Sequence, residues 1–452
     1  MVKSATVEVL MQVYSKLLKF RLFRGKLEGP WWINNGVGAA AIGVVLIAAS
    51  LLVGPSWGCH IPAIYNFGDS NSDTGSVSAA FRRLPPPYGE TFFGKPSGRY
   101  SDGRLIIDFI AEKLGLPFLS AYLDSIEPNF RHGANFGASG STIQPTDAKL
   151  FGAAEKLGLP FLSAYLDSIE PNFRHGANFG ASGSTIQPTD AKLFGAGFSP
   201  LSLNIQLLQF EQFKDRTKES FNQAKSPWIK NNLPRPEEFS KALYTLDSGQ
   251  NDLHFGQTTE EQVRASIPNI TDMFSVAVKK LYQEGARTFW IHNTGPIGCL
   301  PFFAVWNRPN HFESDQNGCI KSYNQLAQEF NKQLKDKVFQ LRIQLHHAVL
   351  IYVDIYTAKY TLISEAEKQG FVSPLGYCCG HLGVAECWQI SIVNGTEVFA
   401  ASCSDPSKHI SWDGVHYTEA ANRWVANHIV DGSLSDPPIP LTKSCHSADI
   451  PS

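Results

Sequence analysis

Two consecutive segments of this chain are identical, and any fold must accommodate both. Residues 111–153 and residues 154–196 repeat the same 43 residues without a single difference. Solenoid repeats usually diverge and need about three or more copies to bury a core, so this pair indicates a recent tandem duplication or an error in the gene model. We expect one copy to occupy the native place in the fold. A composite of the start of copy one and the end of copy two also continues directly into both flanking segments.

Outside the repeat, apolar runs alternate with amphipathic stretches. The predicted strands are residues 63–67, 177–180 (or 134–137), 242–246, 287–292 and 348–353. The predicted helices are residues 104–114, 203–217, 260–284 with a break near Pro268, 323–344 and 418–429. Strands that are apolar on both faces and separated by helices are typical of a parallel sheet between helix layers. We therefore predict one α/β/α domain at residues 59–440, followed by a tail at residues 441–452.

The first 58 residues differ in kind from the predicted domain. Residues 1–36 are rich in lysine and arginine, and residues 37–53 carry no charge. A basic segment followed by a short apolar run is typical of a secretory signal peptide. We expect cleavage after Gly58, with an uncleaved signal-anchor as the alternative. Either outcome places the remaining chain in an exported compartment. After cleavage this is the extracellular space or the cell wall, and with an uncleaved signal-anchor the chain is anchored in the secretory pathway.

The cysteine content agrees with export. The chain has 8 cysteines, and an even set in an oxidising compartment predicts disulfides. We expect Cys299 to pair with Cys319, and local pairing among Cys378, Cys379, Cys387 and Cys403. No CxxC pair recurs and no HExxH motif is present, so no metal is expected. The sequons at Asn269 and Asn394 are predicted glycosylation sites.

The charge balance limits the class of partner. A net charge of -2 leaves no excess of basic residues for a nucleic-acid backbone. We expect a monomer without a cofactor that acts on a small-molecule or polysaccharide substrate. Contact with a membrane is expected only through the N-terminal segment, if it is retained.

Four short motifs fall where strands end or helices begin. They are Gly-Asp-Ser at residues 68–70, GASGS at residues 180–184 (and 137–141), GQND at residues 249–252 and DGVH at residues 413–416. Each alone has an ordinary structural explanation as a cap, a turn or a loop. Ligands of open α/β sheets bind at the carboxyl ends of the strands, so the four motifs together favour a catalytic site.

The residue types in these motifs suit acyl transfer. Ser70 can act as a nucleophile if His416 takes its proton, and Asp413 can bond the other ring nitrogen of His416. The oxyanion of a tetrahedral intermediate needs hydrogen-bond donors. The candidates are the N–H groups of Ser70 and of Gly183 (or Gly140), and the side-chain amide of Asn251.

With these residues in place, the chain resembles plant GDSL-type esterases and lipases of the SGNH hydrolase superfamily, in the subgroup that includes α-fucosidase-like and early-nodulin-like members. The resemblance covers residues 60–440 and rests on the segments FGDSNSDTG, PPYGETFFGKPSGRYSDGRLIIDFIAEKLGLP, NFRHGANFGASGSTI, YTLDSGQNDL, FWIHNTGPIGCLP and WDGVHYTEAANRW. It implies a flavodoxin-like α/β/α fold with about five parallel strands, and ester hydrolysis through an acyl-enzyme by Ser70, Asp413 and His416.

Three features depart from the family pattern. The residue after the serine is Asn71. Leucine is usual at this position in the family, and asparagine is usual in one plant subgroup. The 43-residue duplication has no counterpart and could displace the oxyanion glycine. The loop at residues 378–388 is shorter than in relatives.

Two other functions remain open at this point. A glycosidase would need paired carboxylates, for which Asp69, Asp73 and Asp252 are candidates. A catalytically impaired binding protein would result if the duplication disrupts the site.

Overall fold

The computed structural model describes residues 59–81, 83–123, 173–188, 199–254, 259–307, 309, 311–381 and 386–445. The predicted signal segment, copy one from residue 124 onward and the last residues of the tail lie outside these ranges. No helix within these ranges is both long and apolar enough to cross a membrane.

A six-stranded sheet forms the centre of the domain. Its strands are β1 (Ile64–Gly68), β2 (Gly176–Asn178), β3 (Leu243–Asp247), β4 (Thr288–His292), β5 (Val349–Val353) and β8 (Ser435–Asp436). Across the sheet they have the order β2-β1-β3-β4-β5-β8. The first five are parallel and have the order 2-1-3-4-5 of flavodoxin-like folds, which confirms the predicted fold class. β8 adds a short antiparallel sixth strand that the sequence pattern did not indicate.

Helices cover the sheet on both faces, so its strands are almost wholly buried. In chain order, the helices of the described residues are α1 (Ser76–Ala80), α2 (Glu90–Phe93), α3 (Ile106–Lys113), α4 (Leu203–Gln223), α5 (Pro227–Asn232), α6 (Gln250–His254), α7 (Glu260–Gln283), α8 (Lys321–Gln344), α9 (Ile355–Ser364) and α10 (Glu419–Ile429). Every residue of β1 and β4 is buried, as expected for a parallel sheet between helix layers.

Helix α7 corrects one sequence-based expectation, because it continues through Pro268 without a break. A proline inside a helix removes one backbone hydrogen bond and usually kinks or ends it. Here Ile267, Ile270 and Phe274 are fully buried on the core side of the helix. Their burial on both sides of Pro268 favours a continuous helix despite the lost bond.

The repeat contributes its two ends to the fold. Helix α3 runs into copy one, and the described part of that copy ends at Leu123, whereas strand β2 belongs to copy two. The two parts are joined by hydrogen bonds from Tyr122 N to Asn178 O (2.8 Å) and from Asn178 N to Ser120 O (3.0 Å). Phe179 of copy two stacks on Phe67 of β1 with ring centroids 5.2 Å apart. The described domain is therefore built from the start of copy one and the end of copy two.

A single-copy variant is expected to fold and to retain full activity. Removing residues 124–166 shortens the connection between Leu123 and Phe173 to the six residues DSIEPN, and every described residue is kept. A shorter loop costs slightly less closure entropy, so we expect an unchanged or slightly higher melting temperature and an unchanged kcat/KM for an ester. Thermal melting and ester hydrolysis measure both quantities. A variant that is unfolded or inactive would show that the repeated segment is needed.

Four cysteine pairs lie at disulfide distance, and they include the expected ones. Cys299 pairs with Cys319, and the loop after α9 contains the pairs Cys378–Cys403 and Cys379–Cys387. The remaining pair joins Cys59 to Cys445, with Cα atoms 5.6 Å apart. The loop also carries a hairpin of β6 (Ile390–Val393) and β7 (Thr396–Phe399), which sequence analysis missed.

Candidate active site

The nucleophile loop begins where β1 ends at Gly68. A Cβ atom at this position would lie 2.5 Å from the carbonyl oxygen of Asp247 on β3, so only glycine allows the strands to approach this closely. Asp69 N donates to Asp247 O at 3.1 Å, and Ser72 N and Asp73 N donate to Asp69 O. These bonds fold a tight turn that places Ser70 at the carboxyl edge of the sheet, 5% exposed.

The glycine-rich loop of copy two packs against this turn. Asp73 accepts a hydrogen bond from Ser182 N at 2.9 Å. Gln206 on α4 bonds both to the backbone of Gly68 and to Ser184 Oγ (2.8 Å). Gly183 lies between these contacts with a φ of 71°, in the left-handed region that glycine tolerates best. The sequence left Gly183 and Gly140 as alternatives. The structure places Gly183 beside the nucleophile loop, and Gly140 lies outside the described residues.

Asn251 approaches the same loop from the start of α6. Its Nδ2 donates to Ser184 O at 2.7 Å, and the residue is 6% exposed. An amide nitrogen carries two hydrogens, so this bond leaves a second donor on the same atom. The neighbouring Asp252 accepts the N–H groups of Ile186 and Gln187. Both side chains thus fix the glycine-rich loop next to Ser70.

Asp413 and His416 form a direct pair on the loop before α10. His416 Nδ1 lies 2.7 Å from Asp413 Oδ2, while Asp413 Oδ1 accepts the backbone N–H groups of Val415 (3.0 Å) and His416 (2.8 Å). Tyr88 donates its hydroxyl to Asp413 Oδ2 at 3.1 Å. Burial alone would raise the pKa of Asp413. The attraction to His416 and the hydrogen bonds from His416 and Val415 outweigh burial and hold the pKa of Asp413 below its usual range.

Two tyrosines to which sequence analysis gave no role, Tyr88 and Tyr100, lie beside the Asp413–His416 pair. The ring of Tyr100 lies 5.0 Å from the His416 ring. Burial raises the pKa of Tyr100, and its interaction with the side chain of Ser182 opposes that rise. Tyr100 therefore connects the histidine loop to the glycine-rich loop. Tyr88 and Tyr100 pack edge to face at 5.9 Å. The only local signal was an aromatic, proline-rich loop, which gives no partner for either hydroxyl.

The nucleophile and histidine loops also meet at a common neighbour. Lys359 Nζ lies 3.4 Å from Asn71 Oδ1 and 4.3 Å from the centre of the Tyr417 ring. Asn71 follows Ser70, and Tyr417 follows His416. The structure thus brings all the sequence-selected residues, with Gly183 as the glycine, to one edge of the sheet.

The carboxylates considered for a glycosidase all accept hydrogen bonds from neighbouring backbone or side-chain groups. Asp69 Oδ1 accepts the backbone and side-chain N–H groups of Asn71, each at 2.9 Å. Asp73 accepts four backbone N–H groups, from residues 75, 76, 77 and 182. Burial raises the pKa of Asp252 to about 7, although the two backbone hydrogen bonds that it accepts oppose this rise. Each carboxylate supports a turn or loop, which is a structural role.

The glycosylation sequons and the potential metal ligands can also be located in the structure. Both sequon residues are exposed, Asn269 on α7 and Asn394 in the turn between β6 and β7. Two groups of potential metal ligands occur among the described residues, around His409 and around Asp315, but the cysteines in both groups are disulfide-bonded. Disulfide sulfur is not a thiolate ligand, so neither group fits a metal ion.

The chain matches known hydrolases over most of its length. The model of the family described as GDSL-like Lipase/Acylhydrolase matches residues 64–158 and 151–429. The first match ends and the second begins within the repeat. Copy one therefore matches the family together with the sequence before it, and copy two together with the sequence after it. A GDSL esterase/lipase of Arabidopsis thaliana is 46% identical over 88% of this chain and 93% of its own length.

Two further relatives carry more specific names. An esterase of Hevea brasiliensis is 46% identical over 86% of this chain and 90% of its own length. A protein of Arabidopsis thaliana named alpha-L-fucosidase 3 is 43% identical over 86% of this chain and 92% of its own length. Given these matches and the strand order, the chain belongs to the GDSL lipase/acylhydrolase family of carboxylic ester hydrolases.

Proposed function

We propose that this protein is a secreted serine hydrolase that cleaves carboxylic esters through an acyl-enzyme formed on Ser70. The observation that carries this proposal is the Asp413–His416 hydrogen bond of 2.7 Å at the sheet edge that also carries Ser70. A carboxylate on Nδ1 fixes the tautomer in which Nε2 is free to accept a proton. This arrangement is what a serine needs to become a nucleophile at neutral pH.

In the first half of the reaction, Ser70 Oγ attacks the ester carbonyl carbon while His416 Nε2 takes the serine proton. The negative oxygen of the tetrahedral intermediate is stabilised by the N–H groups of Ser70 and Gly183 and by the second amide hydrogen of Asn251. Collapse of the intermediate breaks the bond to the alcohol, which leaves with the proton from His416. Water then attacks the acyl-enzyme with His416 as its base, and the carboxylic acid is released.

Asp413 is suited to support the imidazolium that forms in both halves. Because its pKa is held below the usual range, it stays ionised throughout the neutral and mildly acidic range. Ion pairing with protonated His416 then stabilises the charge that develops in the transition state.

For the substrate, we propose the acyl group of a glycoside, a polysaccharide or a lipid. The small net charge favours a neutral substrate over a polyanion. Four disulfide-distance pairs suit an oxidising compartment, which supports export by the N-terminal segment. We further propose that the enzyme acts as a monomer.

A fucosidase is the second candidate, because one relative carries that name. The hydrogen bonds that Asp69, Asp73 and Asp252 accept from turns and loops weigh against a fucosidase. A glycosidase needs one carboxyl group that donates a proton to the leaving group and a second that acts as nucleophile or base.

Covalent labelling separates these functions. A fluorophosphonate that reacts with activated serines is expected to abolish hydrolysis of nitrophenyl butyrate and to add one phosphonyl group, which peptide mass mapping would locate on Ser70. Labelled enzyme that still cleaved nitrophenyl fucoside would favour the glycosidase. Protein that hydrolysed neither substrate and took up no label would be the catalytically impaired form.

A further inference from the structure

A lysine that the proposed mechanism does not use is buried behind the nucleophile loop. Lys359 lies on α9 and is 3% exposed. Its stem passes over Gly295, where an added Cβ would lie 2.9 Å from Lys359 Cδ. Removing an ammonium group from water is costly unless other groups compensate for the lost hydration. The partners of this ammonium therefore indicate what it is for.

The ammonium has two kinds of partner. Asn71 Oδ1 lies 3.4 Å from Nζ, and the Tyr417 ring centre lies 4.3 Å away on the other loop. The carboxylates of Asp69 and Asp247 supply the opposite charge. Burial lowers the pKa of Lys359, while the attraction to Asp247 and Asp69 opposes that change.

The position of these partners in the chain connects them to the chemistry. Asn71 directly follows Ser70 and bonds back to Asp69 through both its backbone and its side-chain nitrogen. Tyr417 directly follows His416. Lys359 thus touches the neighbour of the nucleophile and the neighbour of the base. The side chain of a leucine at position 71 could neither accept a bond from Lys359 nor donate one to Asp69, and only the backbone N–H bond to Asp69 would remain.

We infer that Lys359 is a positioning residue that sets the separation between Ser70 and His416 by holding Asn71 and Tyr417 on either side of its ammonium. The inference rests on the serine mechanism proposed above. A general base must lie within hydrogen-bond reach of the proton that it removes, and a misplacement of about 1 Å can cost about 10²-fold in rate. A fixed cation between the two loops meets this geometric demand.

The charges around Lys359 give a second reason for a cation at this position. Burial and the nearby Asp247 raise the pKa of Asp69 to about 7, while the bonds from Asn71 and the attraction to Lys359 oppose that rise. His292 on β4 faces the other side of Asp247, with Nδ1 3.4 Å from Oδ2. Without the ammonium, the repulsion from Asp247 would remain while the attraction to Lys359 would be lost, so the pKa of Asp69 would rise further. A larger share of Asp69, which accepts both nitrogens of Asn71 in the turn that carries Ser70, would then be protonated at neutral pH.

The test is Lys359→Met, which keeps a flexible apolar stem next to Tyr417 and removes the charge. We expect kcat for nitrophenyl butyrate to fall by about 10-fold to 100-fold, with KM little changed. The rate of Ser70 labelling by a fluorophosphonate should fall by a similar factor, because labelling depends on the same serine and histidine geometry. The acid limb of the kcat profile should move to higher pH.

Lys337→Met is the matched control, because it removes a surface ion pair with Asp272 on α7. It should leave kcat, KM, the labelling rate and the pH profile unchanged.

A variant of the second partner keeps the test decisive. Asn71→Leu should also lower kcat, and the double variant Asn71→Leu/Lys359→Met should lose less than the product of the two single losses, because both remove the same contact. A folded Lys359→Met protein with wild-type kcat and labelling rate would overturn the inference. If Lys359→Met does not fold, wild-type kcat in Asn71→Leu would overturn it. Failure of the serine mechanism itself would look different, since wild-type protein would then take up no label on Ser70.

Discussion

Ser70→Ala is expected to lower kcat for nitrophenyl butyrate by about 10⁴-fold or more, with KM little changed. The alanine removes the atom that attacks the ester but leaves the oxyanion donors of Gly183 and Asn251 in place. Residual hydrolysis would then reflect attack by water on a substrate that is still held and polarised. The melting temperature should stay close to that of the wild type, because the hydroxyl is a small part of a turn held by backbone bonds.

The nearest matched control is Ser72→Ala in the same turn. Its hydroxyl is buried and has no hydrogen-bond partner within the described part of the chain, so its loss removes no bond. We expect activity within a small factor of the wild type. Equal activity of Ser70→Ala and the wild type would exclude the acyl-enzyme mechanism.

The candidate site was accessible from the sequence because its chemistry lies in local motifs. In Gly-Asp-Ser, GQND and DGVH, the reacting side chain and the turn that presents it lie within a few residues. Strand β4 ends where its apolar run predicted, and β1 and β3 end one residue later. The parallel order of the sheet then brings distant motifs to one edge, which alternation of strands and helices is sufficient to predict.

The sequence pattern did not predict contacts between residues that are distant in the chain. Tyr88 reaches Asp413 across 325 positions of the chain, and Lys359 reaches Asn71 across 288. Periodicity assigned Lys359 to no motif, since a single lysine on a helix is ordinarily a solvated side chain. Strand β8 has only two residues and no apolar run, so its pairing depends on β5 alone.

The repeat limits sequence analysis for a different reason. Gly140 and Gly183 have identical neighbours within the repeat, so no local property distinguishes them. The choice is made by chain connection, since copy two runs directly into the segment before α4, and Gln206 of that helix bonds to Ser184. Because this contact depends on a helix beyond the repeat, the repeated residues alone do not predict it.

Asp413→Asn is expected to lower kcat by about 10⁴-fold while leaving the fold intact. Asp413 Oδ1 accepts two backbone N–H groups, so the asparagine carbonyl oxygen should occupy that position. Its NH₂ group would then face His416 Nδ1, where Oδ2 accepts a bond in the wild type. A donor at this point forces Nδ1 to be the acceptor and puts the imidazole proton on Nε2.

In that tautomer Nε2 already carries a proton and cannot accept the proton of Ser70. Asp413→Asn should therefore lower kcat nearly as much as Ser70→Ala. Asp405→Asn is the matched control and should leave kcat unchanged, because this exposed aspartate caps a short helical turn outside the four motifs of the site. Hydrolysis of nitrophenyl butyrate and fluorophosphonate labelling of Ser70 measure the effect. A loss of less than about 10-fold in Asp413→Asn would mean that the orientation of His416 depends on its other contacts, of which Tyr100, 5.0 Å away, is the first to test.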